Sequence, residues 1–381
     1  MMTGDEIKRA AQWLQAWDSQ GMHRTGTDGD HAGADWLTRE AARLGAEPME
    51  EVFPLARLDP GETFLECEGT RIEGVPLFDA PPTDGVVGVL GPAGSGAPIA
   101  VVTLSPRAVY GDSFRALRAD PSQRGLVVVC QREHPGLGLL NAEQFRTPYG
   151  APAIHASSEA GEFLMAAAAR GAPARLVAVS RRTDAPARNI VVTVPGQDPA
   201  GRPPVVVMTP RSSWWQSTAE RGGGLVCWLE TLRALLSRPP VSDVVLTANT
   251  GHELGHLGLD DFVDRRRGWD RAGGATWVHY GANLGAAGGA LSVMSAADDL
   301  KTAMARALAD AGQRADTLPP ATVVPSGETR DIHQCGGRYV TLVGTSPWFH
   351  LPQDRWPHSV NPEAVARIAA AATSVVLGLT R

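Results

Sequence analysis

Apolar residues first recur at helical spacing over residues 5–17, where Ile7, Ala10, Ala11, Leu14 and Trp17 share one face. A polar, turn-rich stretch from His23 to Asp30 separates this helix from a second, predicted over 31–45 and closed by Gly45. Glu51–Leu55 reads as the start of a strand. Between about 60 and 182 the texture changes: short β-like runs (Gly85–Leu90, Ile99–Thr103, Gly125–Cys130, Leu176–Val179) alternate with Gly-, Pro- and Ser-rich turns, and one helix falls at 158–170. From Asn189 strands and helices alternate. Ile190–Val194 and Val205–Met208 are strands, Gly223–Ser237 a helix, and Val244–Thr250 a near-continuous apolar strand of the kind buried on both faces. Helices at 260–267 and 298–312, a strand at Tyr339–Val343 and a helix at 361–379 follow.

This order predicts an α/β fold: a mixed, mostly parallel sheet flanked by helices, with a small β-rich domain inserted. The main domain comprises 1–58 and 183–381, and the insert 59–182. Open α/β sheets place their sites at the carboxyl ends of strands, where Thr209, His252 and the 344–350 loop fall.

Composition narrows the class of partner. With 381 residues, 43% hydrophobic and 20% charged, the chain is of ordinary globular make-up. A net charge of -6 gives no reason to expect nucleic acid or an anionic membrane surface. The four cysteines form no CxxC pair and read as reduced thiols, and the amino terminus has no basic-then-apolar leader. No apolar run reaches the ~18 residues that span a bilayer. A cytoplasmic protein acting on a small molecule or short peptide is expected.

The candidate chemistry centres on His252-Glu253-Leu254-Gly255-His256. As HExxH it is the zincin pattern, two imidazoles one helical turn apart around a general-base Glu. Its context argues otherwise. The string begins two residues after a strand, Gly251, Gly255 and Gly258 make a poor helix interior, and no Glu occurs between Glu253 and Glu328 to supply a third ligand.

The surrounding frame resembles that of the co-catalytic zinc aminopeptidases, a superfamily that includes glutamate carboxypeptidase II, glutaminyl cyclases and the transferrin receptor. "HELGHLG" is similar to their EELGxxGS signature; Asn189-Ile190-Val191-Val192 with Pro195-Gly196 resembles an early strand; Gly222-Gly223-Gly224-Leu225 with Leu229-Glu230 resembles their SGVAALLELARAL helix; and Phe349-His350-Leu351-Pro352-Gln353-Asp354 resembles YHTPxDT. The 59–182 segment resembles the protease-associated insert of some members. The likeness spans essentially the whole chain.

Carried over residue by residue, the resemblance implies a depleted site. The HxD motif falls on Thr209-Pro210-Arg211, and a further Asp ligand falls near Gly285, so one metal is lost. Glu220 stands for the bridging Asp, Glu253 and His350 are retained, and His252 replaces the general-base Glu. The expectation is a metallopeptidase-like hydrolase for a small amide, amino-acid derivative or short peptide. It would hold one divalent ion, zinc foremost, at Glu220, Glu253 and His350, or none. His252 would be the base and Arg211 would stabilise charge on the substrate. His256, His333 and Glu328 are second-tier candidates for the same cleft. The rival expectation is an inactive binding protein on this scaffold, or non-hydrolytic chemistry in the same cleft. Glu220 beside Arg221 also reads simply as a surface ion pair. His279 has no partner pattern.

Overall fold

The computed structural model describes residues 4–381. In chain order the strands are β1 (Met49–Cys67), β2 (Thr70–Pro76), β3 (Thr83–Pro92), β4 (Ile99–Leu104), β5 (Gly125–Cys130), β6 (Ala153–Ala156), β7 (Pro173–Val194), β8 (Val205–Pro210), β9 (Val244–Asn249), β10 (Thr276–Tyr280), β11 (Leu291–Met294) and β12 (Arg338–Gly344). The helices are α1 (Gly4–Asp18), α2 (Asp28–Arg43), α3 (Asp112–Ala119), α4 (Gly161–Ala169), α5 (Gly223–Ser237), α6 (Leu257–Arg265), α7 (Asp298–Asp310), α8 (Thr329–Gln334) and α9 (Pro362–Leu379).

The strands join in the order β1-β2-β6-β5-β4-β3-β7-β9-β8-β10-β12-β11. Strands β9, β8, β10 and β12 are mutually parallel, while β7 and β11 flank them antiparallel. This is the mixed, mostly parallel sheet that the alternation of elements implies. Successive residues of β8 face opposite sides. Val205 and Val207 join the core under α1, α5, α7 and α9, whereas Val206 and Met208 join the one under α6 and α8. Both faces are covered, which is why β8 and β9 are buried throughout.

The segment between residues 59 and 182 carries its own apolar clusters, one of them under α4 and one under α3. It is not hung on loops. Strands β1 and β7 pair from Met49↔Val191 to Cys67↔Ala174, broken only by an irregularity between Pro60 and Thr63, so one antiparallel ribbon runs from the main sheet into it. The helix read at 31–45 begins earlier, at Asp28, and its first turn packs so closely on the preceding loop that a Cβ on Gly29 would lie 1.9 Å from the Met22 carbonyl oxygen. Helix α9 is long and apolar enough to cross a membrane by length and composition, with mean hydropathy 1.3. Here its Val365, Ile368, Ala372 and Val376 pack into the main core.

His23 ties the amino-terminal layer to the site-bearing loop. Its ring stacks on Trp17 at 3.5 Å between centroids, and Nδ1 lies 3.1 Å from the Gln216 carbonyl oxygen. Burial pushes its pKa down from 6.5 to about 3. The folded state therefore keeps His23 neutral, and its contribution, complete above pH 6.5, is lost as pH falls from there toward 3. We expect the destabilisation caused by His23→Gln, measured by urea unfolding, to be smaller at pH 5 than at pH 7.5 by roughly 2 kcal/mol. An identical difference at both pH values would contradict this.

Candidate functional site

The carboxyl ends of β8, β9, β10 and β12 converge on one cleft. Beyond β9 the chain turns sharply: Gly251 has φ 77°, His252–Leu254 make a single tight turn, and Gly255 and His256 have φ 79° and 62°. The HELGH string is thus no α-helix, and its two histidines do not project from one helical face. Gly258 lets α6 abut this turn, since a Cβ there would lie 2.2 Å from the Thr250 carbonyl oxygen. His256 is drawn away, with Nδ1 2.5 Å from Asp331 Oδ2. Burial opposes its protonation, but the Asp331 carboxylate outweighs burial and raises its pKa.

At the bottom of the site lies Arg221. A wide turn at Thr218–Gly222 precedes α5 and is pinned by Asp354, which accepts from the backbone N–H groups of Ala219 at 2.8 Å and Glu220 at 3.0 Å. The turn puts Arg221 Nη2 2.7 Å from Glu220 Oε1 and 2.6 Å from Glu253 Oε1. Arg221 Nε donates to the Ser212 carbonyl oxygen at 2.6 Å, and Ser212 Oγ donates to Glu253 Oε2 at 2.7 Å. His350 Nε2 stands 3.4 Å from Glu220 Oε1. All of these side chains are buried. Burial works against the Arg221 charge, but Glu220 and Glu253 together hold its pKa above the ordinary value. Burial likewise opposes ionisation of Glu220, yet Arg221 and then His350 bring its pKa down to about 2. The contact with Glu220 is one of charge and not of hydrogen-bond direction, so both Glu220 oxygens remain without a donor.

Glu220, Glu253 and His350 do come together, as a shared metal site would need. They do not fit a metal. A zinc ion held by the two Oε1 atoms would sit ~2.0–2.2 Å from each, within the space of Arg221 Nη2, and a fixed positive charge would repel it. No group of three or more His, Cys, Asp or Glu among the described residues has the arrangement of a metal site.

Above this floor His252 lines the cleft, with Nδ1 3.6 Å from Glu328 Oε1. Neither atom has a hydrogen-bond partner. Burial, then the nearby Arg221, pushes the His252 pKa well below 6.5. Burial raises Glu328 to about 7, although Asn249 donates to its Oε2 at 3.2 Å. His279 lies beside them with Nδ1 2.5 Å from Thr329 Oγ1, while its Nε2 is unpartnered. Its pKa falls to about 3 by burial and the proximity of His256. The cleft has a cavity volume of about 140 Å³ and is also lined by Asn283 and His350, each of which buries an unpartnered polar atom. Polar atoms of five side chains therefore remain unsatisfied at or beside one concavity, as expected where a ligand binds.

The other sequence candidates fall elsewhere. Arg211, expected to act on substrate, does not line the cleft. It is fully buried, 2.8 Å from Asp30 Oδ1, and donates to the backbone oxygens of Asp30 at 2.5 Å and Arg188 at 2.8 Å, joining α2 to the sheet. His333 on α8 bonds the Tyr339 hydroxyl at 2.9 Å and faces away from the cleft lining. Sequence reasoning missed Arg221, whose pairing with Glu220 is buried and not superficial, and His279, whose strand β10 was not recognised. The available signal for Arg221 was its place between Glu220 and three glycines, where a surface charge has little reason to sit.

No protein-family model matches the chain, and no curated protein matches its sequence. Its fold, in contrast, recurs in many solved structures. A zinc aminopeptidase from Bacillus subtilis superposes with a TM-score of 0.77 at 19% identity, over 97% of this chain and 94% of that one. A peptidase M28 precursor from Shewanella amazonensis gives 0.73 at 16% identity, over 99% and 97%. A glutaminyl cyclase from Fimbriiglobus ruber gives 0.54 at 11% identity, over 100% and 96%. The chain has the fold of the zinc aminopeptidases.

Removing the guanidinium leaves two buried carboxylates facing each other. Arg221→Met is expected to lower unfolding free energy by about 3–5 kcal/mol in urea titrations. A loss below about 1 kcal/mol would mean that the charges are relieved by something other than Arg221.

Proposed function

We propose that this cleft is a metal-independent hydrolytic site for a small amide, amino-acid derivative or short peptide. The observation that carries the reading is Arg221 Nη2, held by both Glu220 and Glu253 where a shared cation would stand. A guanidinium supplies permanent positive charge without an exchangeable ion. His252, neutral at physiological pH and open to the cleft, takes a proton from water. The water oxygen bonds to the carbonyl carbon, the C–N bond breaks, and the proton leaves with the amine. Glu328, with its pKa near 7, sits behind His252 and can relay or hold that proton. Support for hydrolysis comes also from the fold shared with peptidases.

A second reading rests on the same salt bridge. With both carboxylates committed to Arg221, the cleft has lost the charges that would bind a catalytic ion, and it would then serve to bind a ligand without turnover. Cyclisation, the activity named for the Fimbriiglobus structure, is a variant that the geometry does not single out.

Chromogenic amino-acid amides separate these readings. Hydrolysis should persist within about twofold after exhaustive chelation, and His252→Gln should lower kcat by roughly 10²–10⁴ with KM little changed. Activity lost on chelation and restored by zinc would overturn the metal-independent reading. Binding without turnover in the wild type would favour the second.

A further inference from the structure

The inserted segment contributes two arginines to the cleft that the hydrolytic reading does not use. Arg107 lies on the short turn Pro106–Tyr110, and Arg132 follows β5. Both line the concavity that holds His252 and His350. Most arginines of this chain are matched to a carboxylate, whereas these two make no ion pair among the described residues. Arg107 is exposed and makes no side-chain hydrogen bond there. Arg132 is half-buried: its Nη2 donates to the Ser346 carbonyl oxygen at 3.2 Å, its Nε is buried without a partner, and its guanidinium lies 5.2 Å from the Phe349 ring centre. That contact and the backbone bond fix its direction in advance. Burial holds its pKa below the ordinary value, against the opposing pull of Cys130 and Glu220.

Neither guanidinium has a carboxylate within salt-bridge distance among the described residues, so an anion in the cleft that both line would give them a partner. The planar fork of Arg132 matches a carboxylate in particular. Deeper in the same cleft, His279, Asn283 and His350 are at least nine-tenths buried and offer unpartnered polar atoms that suit an amide or hydroxyl. We infer that the cleft takes a small organic molecule bearing a free carboxylate, with the carboxylate held by Arg107 and Arg132 and its polar remainder on the imidazole floor. This rests on the cleft being the ligand site, as the proposed function does, but not on hydrolysis.

The test is binding to the full chain at neutral pH. Acetate, glutarate and N-acetyl-L-leucine, with the matched amides of each, are titrated while thermal unfolding and heat of binding are followed, up to about 20 mM probe. At least one carboxylate should bind, with its amide weaker by about tenfold or more, equivalent to about 1.4 kcal/mol. Arg132→Gln and Arg107→Gln should each weaken that carboxylate severalfold, and the exposed Arg107→Gln should leave the probe-free unfolding temperature near that of the wild type. Arg107 is exposed, so its variant carries the test should the Arg132 variant fail to fold. Amides binding as well as acids, no carboxylate binding, methyl phosphate binding in place of every carboxylate, or variants that bind like wild type would each overturn the inference. Carboxylate binding with no turnover of any amide would sink the hydrolytic reading alone.

Discussion

A single buried guanidinium organises this molecule's functional end. Arg221 lies beneath the carboxyl edge of the parallel strands with two carboxylates on one of its nitrogens. Burying three charges is expensive, and the surroundings offset part of the cost, although both Glu220 oxygens and Arg221 Nη1 stay without a hydrogen-bond partner. Ser212 serves Arg221 with its carbonyl and Glu253 with its hydroxyl, Asp354 fixes the turn that carries Glu220, and the Gly251–Gly255 turn brings Glu253 inward. Three chain segments, after β8, before α5 and after β9, are locked together by this one side chain. The same lock puts Arg221 Nη2 between the two carboxylates.

Electrostatics then divide the cleft into two zones. The floor presents imidazoles that burial keeps neutral, His252 and His279, backed by Glu328 with a pKa near 7. The rim presents Arg107 and Arg132 from the inserted segment. Neutral imidazoles thus lie between the buried cation Arg221 beneath and the two cleft-lining arginines of the 59–182 segment. The β1–β7 ribbon, irregular only between Pro60 and Thr63, joins the segment that carries this rim to the main sheet.

Most of the fold was legible in the hydrophobic pattern, because long elements buried on a consistent face announce themselves. Helix α5 begins and ends where the apolar run does, and β9 reads as a doubly covered strand. Strand β10 escaped notice: it is five residues long, and its sequence Thr-Trp-Val-His-Tyr has no simple alternation, since Trp277 and His279 are buried as deeply as Val278. The grouping of Glu220, Glu253 and His350 followed from the resemblance to the zinc aminopeptidases, carried over residue by residue onto this sequence. The role of Arg221 did not, because adjacency in sequence does not say whether a Glu-Arg pair faces solvent. Arg211 misled for the converse reason. It sits at a strand end, but its side chain points toward Asp30 of α2, a partner 181 residues away in sequence.

The central claim is that Arg221 holds the place of a metal. Anomalous diffraction at the zinc edge, from crystals soaked in zinc, tests it most directly. The account predicts guanidinium density between Glu220 and Glu253 with no anomalous peak there. A peak ligated by Glu220, Glu253 and His350, with Arg221 swung aside, would contradict it.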